Sequence, residues 1–441
     1  MQLQEHCPPA EPRTGAQRTA AAPTLILAIL AGLASLPAHA AGSFPLSSCS
    51  GCAQNGPGAV AGNPQGAFMA AWTNSPSSPQ PVAARFFKPD GTPRGADLLL
   101  SAAAPLAPGD AAVAAEGTGF FAAAWSRKDG LNSEIIVQRY RRTTAPLGAP
   151  ITVSVDEPGT VKPDFSPAVA FLADGSLLVA WQRYGLPVGG SPASPIEVMA
   201  RRINFRNGRA FGPPSKVSSG LVDEGRVALC ANKTGAVAAA WTSLDRIVPF
   251  LPSLRGAVFR RLTPSGQPFG SEVPLAAPTS TIGGVALACS ASSFTAAWRS
   301  DQSPAQGRGI VIRRIATNGA LGAPSLVSPN ANAVSAPSAF EDARGNSLVA
   351  WVTDDGSTAR VLFRRVEASG DLGSAVAAST VTRSAATLRA PAVSAIGRAG
   401  DFVLVWTSDA ALYGRRFSAS GAPLATQAIA AEVEAPFADE R

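Results

Sequence analysis

The sequence predicts an all-β fold built from seven consecutive repeats. Seven tryptophans lie 53 to 60 residues apart along the chain, at Trp72, Trp125, Trp181, Trp241, Trp298, Trp351 and Trp406. Each ends a short apolar run, such as residues 177–181, and each is followed within 21 residues by an arginine that precedes an apolar residue. Beyond residue 40 there is no sustained helical period. Self-similarity at one period is typical of a repeat architecture.

The first 40 residues have the pattern of a secretory signal peptide. Arg13 and Arg18 precede an apolar stretch over residues 25–36, and a small-residue site, Ala38-His39-Ala40, follows. This charged, apolar, small-residue order is typical of signal peptides, and the apolar stretch is too short to span a bilayer. We therefore expect a secreted or periplasmic protein without a transmembrane span in the mature chain.

Both histidines, His6 and His39, lie in this segment. A mature chain without histidine excludes a Ser-His-Asp triad, a Cys-His pair and a histidine-ligated metal. The sequence also contains no metal-spaced cysteine cluster and no glycine-rich phosphate loop. We therefore expect no metal and no cofactor, and a binding protein is favoured over an enzyme.

The chain carries a net charge of +7, and most of its basic residues are arginine. Many arginines stand at the repeat position itself, as in Arg201-Arg202, Arg260-Arg261 and Arg313-Arg314. This periodic placement indicates a role in the architecture, so no nucleic acid is expected as a partner. We expect each tryptophan to fill the space between repeats, and a nearby arginine to stack on its ring while it bonds backbone carbonyls.

The third repeat shows how one unit is built. Residues 167–171, 177–181, 196–203 and 215–218 are predicted strands, separated by turn signals such as Asp174-Gly175 and Asn207-Gly208. The second strand is apolar on successive residues, which indicates burial on both faces. Four antiparallel strands per repeat, seven times over, predict a seven-bladed β-propeller over residues 57–430. Residues 41–56 are a possible closing strand, and residues 431–441 a C-terminal tail.

The repeated pattern of an apolar run, Ala-Trp, a loop, and Arg-Arg with a following Gly-x-Pro resembles that of secreted bacterial β-propeller proteins. The Asp-Gly turns are more weakly similar to those of periplasmic propellers of the TolB type. Sialidase propellers carry Ser-x-Asp-x-Gly-x-x-Trp boxes. Asp174-Gly175 does precede Trp181, but without that pattern. The resemblance implies a fold and leaves the activity open.

Four cysteines remain after the signal segment. Cys230 and Cys289 occupy matching places in adjacent repeats, while Cys49 and Cys52 form a Cys-Ser-Gly-Cys sequence. We expect disulfides between Cys230 and Cys289 and between Cys49 and Cys52, because an oxidising compartment favours them.

The third and fourth repeats depart most from the pattern. Their loops after the tryptophan are the longest, and an Asp-Glu pair precedes each repeat. The second-to-third and fourth-to-first connections of a blade lie on one face, so these segments are expected to share a surface. Function is often placed on such loops. The candidate binding residues are Arg183, Tyr184, Asp245, Arg246, Phe250, Asp156, Glu157, Asp223 and Glu224.

These observations favour a binding or scaffold propeller that recognises a protein or a glycan. The alternative is a carbohydrate-active hydrolase or lyase that uses carboxylates on the loop-rich face.

Overall fold

The structure, a computed structural model, describes residues 43–47, 53–54, 58–75, 82–101, 111–129, 132–154, 163–184, 196–219, 224–245, 254–276, 282–300, 309–328, 332–382, 388, 391–397, 399–408 and 411–425. These residues form strands and turns, and none of them is helical. No helix within this part of the chain is therefore long and apolar enough to cross a membrane.

The strands form seven antiparallel sheets, one for each repeat, which we call blades 1 to 7. The first strand of the described residues, which belongs to the last blade, is β1 (Phe44–Pro45). Blade 1 comprises β2 (Ala53–Gln54), β3 (Ala59–Gly62), β4 (Phe68–Ser75), β5 (Val82–Phe87) and β6 (Leu98–Ser101). Blade 2 comprises β7 (Ala111–Ala115), β8 (Phe121–Asp129), β9 (Asn132–Tyr140) and β10 (Ile151–Thr152). Blade 3 comprises β11 (Asp164–Phe171), β12 (Leu177–Tyr184), β13 (Ile196–Ile203) and β14 (Ser215–Lys216).

Blades 4 to 7 repeat this arrangement. Blade 4 comprises β15 (Ala228–Ala231), β16 (Val237–Asp245), β17 (Leu254–Leu262) and β18 (Pro268–Ala276). Blade 5 comprises β19 (Ile282–Cys289), β20 (Ser293–Ser300), β21 (Gly309–Ala316) and β22 (Leu321–Ser328). Blade 6 comprises β23 (Ser338–Glu341), β24 (Ser347–Asp354), β25 (Thr358–Val366) and β26 (Val376–Thr382). Blade 7 comprises β27 (Ala392–Ala395), β28 (Phe402–Ser408), β29 (Ala411–Phe417) and, at its outer edge, β1.

The blades form a closed ring. The first strands of successive blades adjoin one another, and β27 of blade 7 adjoins β3 of blade 1. The predicted all-β fold, a seven-bladed β-propeller with four antiparallel strands per blade, is confirmed. One face of the ring carries the turns between first and second strands and between third and fourth strands, and we call it the turn face. The other face, the loop face, carries the remaining connections.

The ring closes through the N-terminal strand. β1 pairs antiparallel with β29, with Phe44 opposite Gly414 and Pro45 opposite Tyr413. The side chains of Phe44 and Leu46 are fully buried between blade 7 and blade 1. The first and last parts of the described chain are therefore held in one sheet, which covers the edge that β29 would otherwise expose.

The hydrophobic core consists of seven layers, one at each boundary between neighbouring blades. Each layer contains one of the seven tryptophans, contributed by the later blade. Trp181 of blade 3, for example, packs against Ile135 and Val137 of blade 2. All seven indoles are buried, as the sequence predicts for residues that fill the space between repeats.

Arginines on the third strands connect the blades, and we call each of these contacts an arginine bridge. In blade 3, the Arg201 guanidinium donates from Nε to the carbonyl of Gly212 at 2.7 Å and from Nη1 to the carbonyl of Val153 in blade 2 at 2.8 Å. The corresponding residues of the later blades also donate to the preceding blade: Arg260, Arg313, Arg364 and Arg415. The predicted bonding to carbonyls is therefore present.

In the described part of the chain, the predicted stacking on tryptophan is not made by the repeat arginines. Among the described residues, repeat arginines approach phenylalanine rings instead, as Arg202 does at Phe211 and Arg261 does at Phe269. The indoles are buried in the layers between blades, at 2% exposure or less. The described contact with a tryptophan is made by Arg183, whose guanidinium carbon lies 5.9 Å from the Trp181 ring centroid.

A disulfide joins the first strands of blades 4 and 5. It links Cys230 to Cys289, with their α-carbons 6.1 Å apart, a separation typical of disulfides. This predicted pairing is confirmed. Cys49 and Cys52 lie outside the described residues.

Candidate functional site

The candidate residues that the structure describes lie on the loop face of blades 3 and 4. Arg183 and Tyr184 end β12, and Asp245 ends β16. Glu224 forms an isolated bridge with Ser243. Five further candidates lie outside the described residues: Asp156, Glu157, Asp223, Arg246 and Phe250.

Blades 3 and 4 share a feature at the start of their first strands. In blades 1 and 3 to 7, the residue two positions after the tryptophan pairs with a residue near the start of the first strand. We call that partner the entry position. It is Asp164 in blade 3, paired with Arg183, and Glu224 in blade 4, paired with Ser243. In blade 1 it is Gln54. In blades 5, 6 and 7 it is apolar: Ile282, Ala333 and Leu388. Among the described residues, therefore, only blades 3 and 4 have an acidic entry position.

Asp164 is the acceptor of a buried cluster. Arg183 donates from Nε to Oδ1 and from Nη2 to Oδ2, both at 2.7 Å, and the Trp181 indole donates to Oδ1 at 2.8 Å. Burial raises the pKa of Asp164, while the hydrogen bonds from Arg183 oppose that rise. A bidentate pair of this kind fixes both side chains, so Arg183 holds one orientation.

The end of β12 next to this pair is open to solvent. The side chain of Tyr184 is 42 % exposed, and its ring stacks on Phe165 with centroids 4.9 Å apart. Two residues after Asp164, Ser166 has a φ of 50° at an irregularity in the pairing of β11 with β12. Left-handed backbone at a residue other than glycine stores strain, and such residues cluster at functional sites. Blade 3 therefore presents an aromatic surface on a rigid support.

Glu224 differs from Asp164 because it forms no ion pair with a described residue. Its side chain is 2 % exposed, and neither carboxylate oxygen hydrogen-bonds with good geometry to a described residue. Burial raises its pKa to about 7, with Glu272 adding to the rise and the Ser243 hydroxyl opposing it. Glu224 is therefore buried beneath the loop face, and it exchanges its proton near neutral pH.

The backbone carbonyl of each of these two entry positions accepts a hydrogen bond from a side chain of the preceding blade. Gln182 of blade 3 donates from Nε2 to the carbonyl oxygen of Glu224 at 2.7 Å. Ser133 of blade 2 similarly donates to the carbonyl oxygen of Asp164 at 2.5 Å. These buried bonds hold the starts of adjacent first strands at a fixed spacing. No three His, Cys, Asp or Glu side chains of the described residues come close enough together to hold a metal ion.

We expect Glu224→Gln to remove a pH dependence of stability. The pKa of Glu224 is about 7 in the folded chain, against an ordinary value of 4.5. The folded state therefore binds the proton more tightly, and the wild type loses stability as the pH rises from about 4.5 to 7. The shift corresponds to about 3 kcal/mol above pH 7. Urea unfolding should show that the free energy of unfolding of the variant, relative to that of the wild type, is higher at pH 8 than at pH 5 by about this amount.

The matched control is Glu197→Gln, which alters a partly exposed carboxylate paired with Lys216. Its effect should stay within about 1 kcal/mol at both pH values. Equal responses of the two variants to pH would contradict the assignment to Glu224.

The sequence does not single out Asp164, which forms the centre of the cluster in blade 3. The sequence nevertheless contains a signal for it. Asp164 stands 17 residues before Trp181, and Glu224 stands 17 residues before Trp241. Alignment of the repeats on their tryptophans would therefore have placed the two acids at one position.

Comparisons with known proteins support the architecture alone. No protein-family model matches the chain, and no curated protein does. Among solved structures the chain is similar to a polysaccharide lyase, with a TM-score of 0.50 and 8% identity over 80% of this chain and 88% of that one. It is also similar to a protein of unknown function from Dyadobacter fermentans, with a TM-score of 0.49 and 10% identity over 78% of this chain and 98% of that one. Identities this low show the fold only.

Proposed function

We propose that the chain is a secreted or periplasmic binding propeller whose ligand site lies on the loop face of blades 3 and 4. The observation that carries this proposal is the pair of acidic entry positions, Asp164 and Glu224, in contrast to the non-acidic entry positions described in blades 1, 5, 6 and 7. Residues that recur in every blade are those needed to build the ring. A departure shared by two adjacent blades is therefore better explained by binding than by assembly of the ring.

The chemistry of the site suits a protein or a glycan. Tyr184 offers an exposed aromatic ring that is already stacked on Phe165, so little side-chain freedom is lost on binding. Arg183 is oriented by Asp164, which lies opposite it on the neighbouring strand β11. Aromatic and arginine side chains held in this way are the residues most often found at the centre of binding surfaces.

Two observations support a location outside the cytoplasm. Residues 1–40 have the pattern of a signal peptide. The disulfide between Cys230 and Cys289 is typical of an oxidising compartment.

The test is an affinity capture from the envelope extract of the source cells, with the mature chain immobilised. We expect Tyr184→Ala to lose the captured partner or glycan and to lower the melting temperature only slightly, because the ring is partly exposed at the end of β12. The control is Phe211→Ala, a somewhat more exposed aromatic of the same blade on the turn face. Retention of every partner by the Tyr184 variant would place the site elsewhere.

The alternative, a carbohydrate-active enzyme, is favoured by one observation. A buried carboxyl with a pKa of about 7, as at Glu224, is suited to donate or accept a proton near neutral pH. Incubation with a polysaccharide panel would separate the two functions. Release of reducing ends or unsaturated sugars that Glu224→Gln abolishes would establish the enzyme, and intact polysaccharides would leave the binding propeller.

A further inference from the structure

A cleft lies at the boundary of blades 1 and 2 on the turn face, which is the opposite face of the ring from the candidate site described above. It has a volume of about 380 Å³, within the range of small-molecule sites. Its polar walls come from four turns, two in each blade, and its floor is formed by buried phenylalanines. The polar lining residues are Asn63, Gln65, Arg94, Thr118, Arg142 and Thr144.

Three side chains converge on one glycine in this cleft. Gly119 has a φ of 103°, and a Cβ placed on it would lie 3.5 Å from Arg142 Cγ, 3.7 Å from Gln65 Oε1 and 3.8 Å from Asn63 Nδ2. Any larger residue at position 119 would therefore occupy the space between these side chains. Glycine leaves that space open.

The described residues that line the cleft carry two positive charges and no negative one, and the Glu116 carboxylate accepts from the backbone N–H of the lining residue Thr118 at 2.7 Å. Arg94 and Arg142 are both exposed, and neither forms an ion pair with a described residue. The contacts of Arg142 are with the Phe120 ring, 5.1 Å from its guanidinium carbon, and, through its carbonyl, with Arg94. Some arginines of this face in other blades have acidic partners, as Arg202 has in Asp174 and Arg365 in Asp342.

A buried amide adds a neutral donor. Asn63 is 5 % exposed, and its Oδ1 accepts from the backbone N–H of Gln65 at 3.0 Å, which leaves Nδ2 toward the cleft. The equivalent Asn232 of blade 4 donates from Nδ2 to the carbonyl of Ser290 in the next blade at 2.8 Å. Nδ2 of Asn63 has no such acceptor among the described residues.

The backbone of blade 2 also departs from the repeat at this cleft. Thr144 has a φ of 72°, a left-handed conformation that is a genuine outlier for a β-branched residue. The other six blades have glycine at this place in the turn: Gly91, Gly208, Gly266, Gly319, Gly370 and Gly421. A strained threonine thus replaces glycine in the blade 2 turn that also contains Arg142.

We propose that this cleft binds the carboxylate or phosphate group of a small ligand. The guanidinium groups of Arg94 and Arg142 supply charge-assisted hydrogen bonds, and the amide of Asn63 supplies a neutral one. Carboxylate and phosphate are the groups that arginine recognises best. The site is independent of the function proposed for the loop face.

The test is isothermal titration of the full chain with potassium phosphate and, separately, with sodium acetate at constant ionic strength. We expect at least one probe to bind, and Arg94→Ala and Arg142→Ala each to weaken its Kd by about tenfold or more. The control is Arg141→Ala, which removes the same charge from an exposed neighbour outside the lining and should change the Kd by less than about twofold.

Binding of phosphate alone assigns a phosphorylated ligand, and binding of acetate alone assigns a carboxylate. The proposal is overturned if neither probe binds, or if Arg141→Ala weakens binding as much as the two lining variants do. Melting temperatures equal to that of the wild type would show that the exposed substitutions leave the fold unchanged.

Discussion

Replacing Phe44 and Leu46 together by alanine should lower the free energy of unfolding by about 5 kcal/mol or more. Both side chains are buried in the layer between blades 7 and 1. Truncation of a buried phenylalanine or leucine costs about 2 to 5 kcal/mol each, because it loses apolar burial and leaves a cavity. Urea unfolding monitored by tryptophan fluorescence would measure the change, since Trp72 lies in the same layer.

The control is Pro45→Ala, at the exposed position between the two residues. It should alter the free energy of unfolding by less than about 1 kcal/mol. If β1 closes the ring, the double variant should also expose the edge of β29 and self-associate on size-exclusion chromatography. A double variant as stable and as monomeric as Pro45→Ala would show that β1 contributes little to closure.

Replacing Arg183 by methionine should cost about 3 to 5 kcal/mol of stability. The substitution keeps the apolar stem but leaves the Asp164 carboxylate buried without its cation. The loss should shrink at low pH, where Asp164 becomes protonated, and the double variant with Asp164→Asn should recover part of it. Urea unfolding at pH 4 and pH 7 would measure both effects.

Blade 2 provides the matched control for this prediction. Arg127 stands two residues after Trp125, as Arg183 does after Trp181, but its side chain is 48% exposed and pairs with Glu134 at 2.7 Å. Arg127→Met should therefore cost less than about 1 kcal/mol. Equal losses of stability in the two variants would mean that the buried ion pair of blade 3 contributes no more to stability than the exposed pair of blade 2.

The fold could be predicted from the sequence because its determinants repeat. Tryptophan spacing and Asp-Gly or Asn-Gly turns specify one blade, and seven copies specify the ring. The boundaries of individual strands were harder to predict. Pro167 indicates the start of a strand, whereas β11 begins at Asp164 and passes through an irregularity at Ser166. A local turn of this kind is stabilised by tertiary contacts, which sequence patterns do not contain.

The candidate site could be predicted only in part. The departure of blades 3 and 4 from the repeat indicates the loop face; Tyr184 is exposed there, whereas Arg183 and Glu224 are buried at that end of their blades. The burial of Glu224 could not be predicted, because an Asp-Glu pair between strands has the composition of a solvated loop. The pairing of Arg183 with Asp164 spans 19 residues and depends on the register of two strands. The remaining candidates, Asp156, Glu157, Asp223, Arg246 and Phe250, stay predictions.

The arginine bridges have a consequence for how such a chain can change. Their acceptors are backbone carbonyls, such as those of Val153 and Val217. An arginine bridge therefore depends on the backbone position of the neighbouring blade and not on which side chains that blade carries. Each blade can therefore vary its own surface without a compensating substitution in the next one. This freedom allows seven units that share little beyond a tryptophan and an arginine to assemble into one ring, and a single pair of blades to specialise.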